Sequence, residues 1–124
     1  MDTKRIIEEI KEKYPGKTII CEPEENPREI ICEIDPTSEH PGKSVALAVV
    51  GKSKLHFHKN STEIYKALKG KLIVIIGGKK HILKEGEKIT IKPHEIHSAE
   101  GNEAWFLTYS KPGWRFDDHI VVDK

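Results

Sequence analysis

Apolar residues recur along this chain with two different periods. Ile6, Ile7, Ile10 and Tyr14 fall near one face of a helical wheel, with Lys and Glu elsewhere. That pattern predicts a short amphipathic helix over 3–14. Thr3 is placed to cap it, and Pro15-Gly16 to stop it. Beyond residue 16 the period drops to two. KTIICE (17–22), REIICEI (28–34), SVALAVV (44–50), LHFH (55–58), TEIYKAL (62–68), KLIVIIG (71–77), KHIL (80–83), EKITI (87–91), EIHSA (95–99) and AWFLTYS (104–110) each read as a short strand. Between them stand Gly51, Gly70, Gly77-Gly78, Gly86, Pro93 and Gly101-Asn102, all turn formers. The polar stretch 35–43 reads as a turn region, and the tail from Lys111 as a surface crossing that ends in a short strand. Many short strands with Gly and Pro turns predict an all-β sandwich or barrel. A chain of 124 residues suits one domain with one core.

Charge and composition narrow the partners. The formal net charge is +1, with no basic stripe, so nothing draws the protein to nucleic acid. No apolar run is long enough to span a membrane, and the N-terminus lacks the apolar centre of a signal peptide. A cytoplasmic protein is the default expectation. Cys21 and Cys32 have neither metal nor redox spacing and read as thiols in strands. Lys and Glu are abundant and Gln is absent, a composition like that of thermophile proteins.

The chemistry sits in LHFHKNSTEIYKALKG, residues 55–70. In a strand His56 and His58 point to one face and Phe57 to the other. The polar turn Lys59-Asn60-Ser61-Thr62 reverses the chain. An antiparallel neighbour opening at Glu63 then returns a carboxylate to the two imidazoles. Two nitrogens and an oxygen around one point make a plausible metal site. A fourth ligand lies in GEKITIKPHEIH, residues 86–97. His94 and His97 are three apart and point to opposite faces of an extended chain. His97, inside a strand, is the better ligand, whereas His94 lies in the turn. Tyr65, two residues from Glu63, shares its face. Tyr65 and His94 are the candidate catalytic groups. His40, His81 and His119 read as ordinary turn, strand and tail residues.

These residues carry a resemblance. The spacing is similar to the cupin superfamily motif G-x5-H-x-H-x3/4-E-x6-G at Gly51, His56, His58, Glu63 and Gly70, with one residue fewer after Gly51. The second motif, G-x5-P-x-G-x2-H-x3-N, is matched at Gly86, Lys92, His94, His97 and Gly101, with Lys for the usual Pro and His for the usual turn Gly. The resemblance implies a jelly-roll barrel over about 40–122 behind the N-terminal helix. It implies one divalent ion, Mn, Fe, Ni, Co or Zn, on His56, His58, Glu63 and His97, with two adjacent positions left for substrate. Such proteins are often described as mannose-6-phosphate isomerase-like. The expected activity is therefore metal-dependent, isomerase-type chemistry on a small polar metabolite such as a sugar. An iron-dependent dioxygenase and a non-catalytic ligand-binding cupin are the alternatives. With arginine limited to Arg5, Arg28 and Arg115 and no phosphate loop, a neutral sugar fits at least as well as a phosphosugar. Cupins commonly pair through outer strands, so SVALAVV and the N-terminal strands are expected to form a homodimer surface.

Overall fold

A computed structural model describes residues 1–122; the last two residues of the tail lie outside the described residues. One helix, α1 (Thr3–Lys13), precedes ten strands: β1 (Thr18–Glu22), β2 (Glu29–Asp35), β3 (Ser44–Lys52), β4 (His56–His58), β5 (Thr62–Lys69), β6 (Leu72–Ile76), β7 (Lys79–Leu83), β8 (Lys88–Ile91), β9 (His97–Lys111) and β10 (His119–Val121). The architecture is the expected all-β jelly roll with a short N-terminal helix. No described helix is long and apolar enough to cross a membrane.

α1 is capped one residue earlier than expected. Asp2, not Thr3, accepts from the Arg5 N–H. A carboxylate at that position also complements the positive end of the helix dipole. Ile6 and Ile10 are fully buried against β2, β3 and β9, through Ile30, Cys32, Leu47, Val49 and Trp105. The alternate residues of the same strands face the barrel interior. Ala48, Val50 and Phe106 pack there with Tyr65, Ala67, Leu72, Val74 and Ile91. Trp105 and Phe106 therefore serve two different cores, as strand alternation requires. Cys21 and Cys32 are free thiols on β1 and β2.

All strand pairs are antiparallel, and β9 organises them. Its first half pairs with β6 and, through His97 opposite His56, with β4; the remainder pairs with β3 and β5. The expected turn at Gly101-Asn102 is not a turn between two strands. The HSA of EIHSA and the whole of AWFLTYS merge into one 15-residue strand. The irregularity is absorbed by a register shift against β3 and by a positive φ of 56° at Glu103. Gly101 is there for space: a Cβ on it would lie 2.5 Å from the Ala104 Cβ. SVALAVV does not offer a dimer surface either. Both faces of β3 are used, Leu47 and Val49 under α1 and Ala48 and Val50 inside the barrel. One edge of the sheet is β1, which among the described residues pairs with β2 alone.

Candidate metal centre

Four polar side chains meet in the barrel interior. His56 and His58 project together from β4, Glu63 from the start of β5, and His97 from the start of β9. All four are buried, and one ligand atom of each lies within 4.8 Å of those of the others. His58 Nε2 and His97 Nε2 stand 3.2 and 3.3 Å from Glu63 Oε1. The route by which Glu63 arrives differs from the expected one. No ladder joins β4 to β5 among the described strands; β5 pairs with β8 and β9. Glu63 is held from that side by Ser110, whose hydroxyl donates to Oε2 at 3.2 Å.

The surroundings fix how the rings present their nitrogens. His56 Nδ1 lies 2.8 Å from the Lys54 carbonyl, and His97 Nδ1 lies 2.8 Å from the Glu95 carbonyl. Each ring thus donates its Nδ1–H to backbone and turns Nε2, as an acceptor, elsewhere. The Nε2 of His97, both nitrogens of His58 and Oε1 of Glu63 are buried without any hydrogen-bond partner. Orphaned buried polar atoms are costly, and their convergence is what a divalent ion would satisfy. Three imidazoles and a carboxylate, with no thiolate, suit Mn, Fe, Co, Ni or Zn. The residues therefore fit a metal.

Charge inside the site is arranged accordingly. Burial alone pushes the Glu63 carboxyl up, but His58 and His97 outweigh it and hold the group far below its ordinary value. Burial, followed by His97, pushes His56 down to about 3, so its ring is neutral at physiological pH and able to ligate. Tyr65 is buried near His97, with ring centroids 5.9 Å apart. Its phenol is raised well above its ordinary value by burial and then by the charge of Glu63, so it remains a proton donor.

Three further groups reach the site that the sequence did not single out. β10 pairs with β4 so that His119 lies opposite His58 on the same face. The His119 ring sits 4.5 Å from that of His56 and 5.3 Å from that of His58. Burial, then His58, pushes it below its ordinary value. Asp118, also buried, grips the turn after His58. It accepts from the Asn60 and Ser61 backbone N–H groups at 2.8 and 3.2 Å. Glu29 faces the interior, because Ile30 and Cys32 alternate with it into the helix-side core and its partner across the ladder is Val50. Burial first, then the charges of Glu63 and Glu22, push it up to about 7.

His94 is not brought to the cluster. Its ring stacks on Phe57 at 5.9 Å, on the face of β4 turned away from the histidines. Only its backbone serves the site, donating to the His58 carbonyl at 2.7 Å. Its φ of 70° is the left-handed conformation that explains why glycine is the usual residue in that motif position. His81 lies on β7 opposite Val74 and belongs to neither of the clusters of potential metal ligands among the described residues. A second trio, Asp35, Glu39 and His40, is a surface cluster. A surface cavity of about 370 Å³ lies beside Gly51, Lys71, Ile73 and Glu100 and is lined by none of the four candidate ligands.

Comparison with known families agrees with this geometry. The cupin domain model matches residues 43–104, half of the chain. The chain is a cupin. Its fold recurs in solved structures of low sequence identity. Streptomyces PAC13, described as a nucleoside dehydratase and determined with uridine as a point variant, superposes with a TM-score of 0.75 at 13% identity, over 88% of this cupin and 86% of PAC13. KdgF from Halomonas gives 0.64 at 19% identity, over 77% and 88% of the two chains. An oxalate decarboxylase assigned by prediction in Thermotoga maritima gives 0.63 at 23%, over 77% and 90%. Among curated proteins, no sequence matches this chain.

Proposed function

We propose that this cupin is a metal-dependent enzyme for a small, oxygen-rich metabolite, with proton-transfer chemistry of the sugar isomerase type. The observation that carries the reading is the set of buried, partnerless atoms on His58, His97 and Glu63 that converge beside His56. The assigned ligands are His56, His58, Glu63 and His97. A bound divalent ion would polarise a substrate carbonyl or hydroxyl and make the adjacent C–H more acidic.

The chain's own groups supply the rest. Glu29, with a carboxyl poised near neutrality on the interior face, takes a proton and returns it, since an acid–base group works best with a pKa near the working pH. Tyr65, protonated at neutral pH, donates a hydrogen bond to a developing oxyanion. His119 lines the wall beside His56 and His58 and contacts the substrate there. His94 acts only through its backbone. Proton abstraction next to a carbonyl also begins many eliminations of water. The dehydratase description of PAC13 therefore widens the substrate panel to nucleosides without changing the roles of these residues.

The deciding measurement is the metal content of protein purified without a histidine tag, beside His58→Ala and His81→Ala. The expected result is near-stoichiometric metal in the parent and His81→Ala, and little in His58→Ala. Equal retention by both variants would overturn the ligand assignment. Turnover of aldoses, ketoses and uridine with defined metals then tests the chemistry. Iron in the isolated protein, with turnover only in air, would favour dioxygenase activity instead.

A further inference from the structure

The three histidines are not supported alike. His56 and His97 each give Nδ1–H to the carbonyl two residues upstream, at 2.8 Å. That contact fixes the ring and leaves Nε2 free. For His58 the residue two positions upstream is His56 itself, and no carbonyl takes its Nδ1; both of its nitrogens are buried and without a hydrogen-bond partner. Its Nε2 faces Glu63 at 3.2 Å. Its Nδ1 faces Asp118 Oδ2 at 3.9 Å.

Asp118 is built into the turn that separates His58 from Glu63. Its Oδ1 accepts from the Asn60 N–H at 2.8 Å and the Asn60 side-chain amide at 3.0 Å, and its Oδ2 accepts from the Ser61 N–H at 3.2 Å. The Asp118 carbonyl accepts from the Lys59 N–H at 3.2 Å. A single tail residue thus grips three consecutive residues, 59–61, and aims its second oxygen at His58. It lies beyond residues 43–104, the part of the chain that matches the cupin model.

We propose that Asp118 is a positioning residue of the metal centre, the acceptor for His58 Nδ1–H that sets this ring's tautomer and holds Nε2 toward the ion. The inference rests on the reading that the site holds a metal. A carboxylate behind a ligating imidazole both orients the ring and strengthens it as a donor. At 3.9 Å the pair is not yet hydrogen-bonded, so the role requires a small turn of the ring that would close the gap by about 1 Å.

The test is a Co(II) titration of the metal-free protein, followed through the visible bands of the ion, for the parent, Asp118→Asn and Ser44→Ala. Ser44→Ala removes a different tie between tail and barrel, the hydroxyl that accepts from the Trp114 N–H at 2.9 Å, and does not touch the Asp118 carboxylate. Asp118→Asn is expected to bind Co(II) about 10- to 100-fold more weakly, with shifted bands. Ser44→Ala is expected to stay within about twofold of the parent. Parent-like affinity and bands in Asp118→Asn would overturn the inference, as would an equal loss in Ser44→Ala, which would make Asp118 one rivet among several. A parent that takes up no Co(II) would instead sink the metal reading, and this inference with it. If Asp118→Asn does not fold, nitrogen-15 spectra of the Zn(II)-loaded parent decide. A slowly exchanging, downfield His58 Nδ1–H supports the role, whereas Nδ1 bound to zinc or exchanging freely refutes it.

Discussion

At the scale of single residues, two positions make demands that can be measured. Gly101 sits where a Cβ would meet the Ala104 Cβ at 2.5 Å and the Lys71 carbonyl at 3.1 Å. Gly101→Ala is therefore expected to cost about 1–3 kcal/mol as an overpacking change, read as a lower urea midpoint. Glu29 has the opposite character. Its folded value, about 7, lies above the ordinary 4.5, so the native state binds this proton more tightly than the unfolded chain does. The group subtracts stability above pH 7, and the penalty fades as pH falls through 7 and is gone below 4.5. Glu29→Gln should thus be more stable than the parent at pH 8, by on the order of 1–2 kcal/mol for a half-buried and partly screened group, and equal to it near pH 4.5. Equal stability at both pH values would show that this carboxyl is not strained. His56 and His58 were legible because strand alternation fixes their shared face locally, and Glu63 and His97 because their spacing resembles the cupin motifs. Glu29, Asp118 and His119 were not, because long-range ladders decide where they point.

At the scale of elements, α1 and the sheet divide the labour. Ile10 is buried in the helix-side core, on the side of β3 and β9 away from Tyr65 and the histidines. Ile10→Ala should cost about 2–5 kcal/mol of stability and leave Co(II) affinity near that of the parent. A large loss of affinity would mean that the two cores are mechanically coupled. The strand pattern was almost fully legible, from β1 to the tail strand β10. It failed at Gly101-Asn102, where a turn-like dipeptide marks a close approach and a register shift inside β9. Gly and Asn signal special backbone in either case; only the partner strands tell a bulge from a reversal.

At the scale of the molecule, the expected homodimer would form at an open strand edge, of which β1 is one. β1 ends the sheet, and its Ile20 is 42% exposed. An unpaired edge with an exposed apolar side chain is suited to pairing with a second copy. Sedimentation at micromolar concentration should give twice the chain mass, and Ile20→Lys should give the monomer. A monomeric parent would contradict the pairing.

The central place of β9 also bears on how the protein comes into being. Chains leave the ribosome N-terminus first and begin to organise as they emerge. Here β3, β4, β5 and β6 are all made before the strand that joins them. A nascent chain that has reached Gly86 already carries His56, His58 and Glu63, yet has neither His97 beside them nor Asp118 behind them. Its apolar SVALAVV segment waits without the partner that covers one edge. Non-local pairing of this kind is slow and leaves strands open to aggregation meanwhile. The sheet is therefore expected to close only once β9 has emerged, and protease protection of β3 in nascent chains stalled at increasing lengths should appear after residue 111.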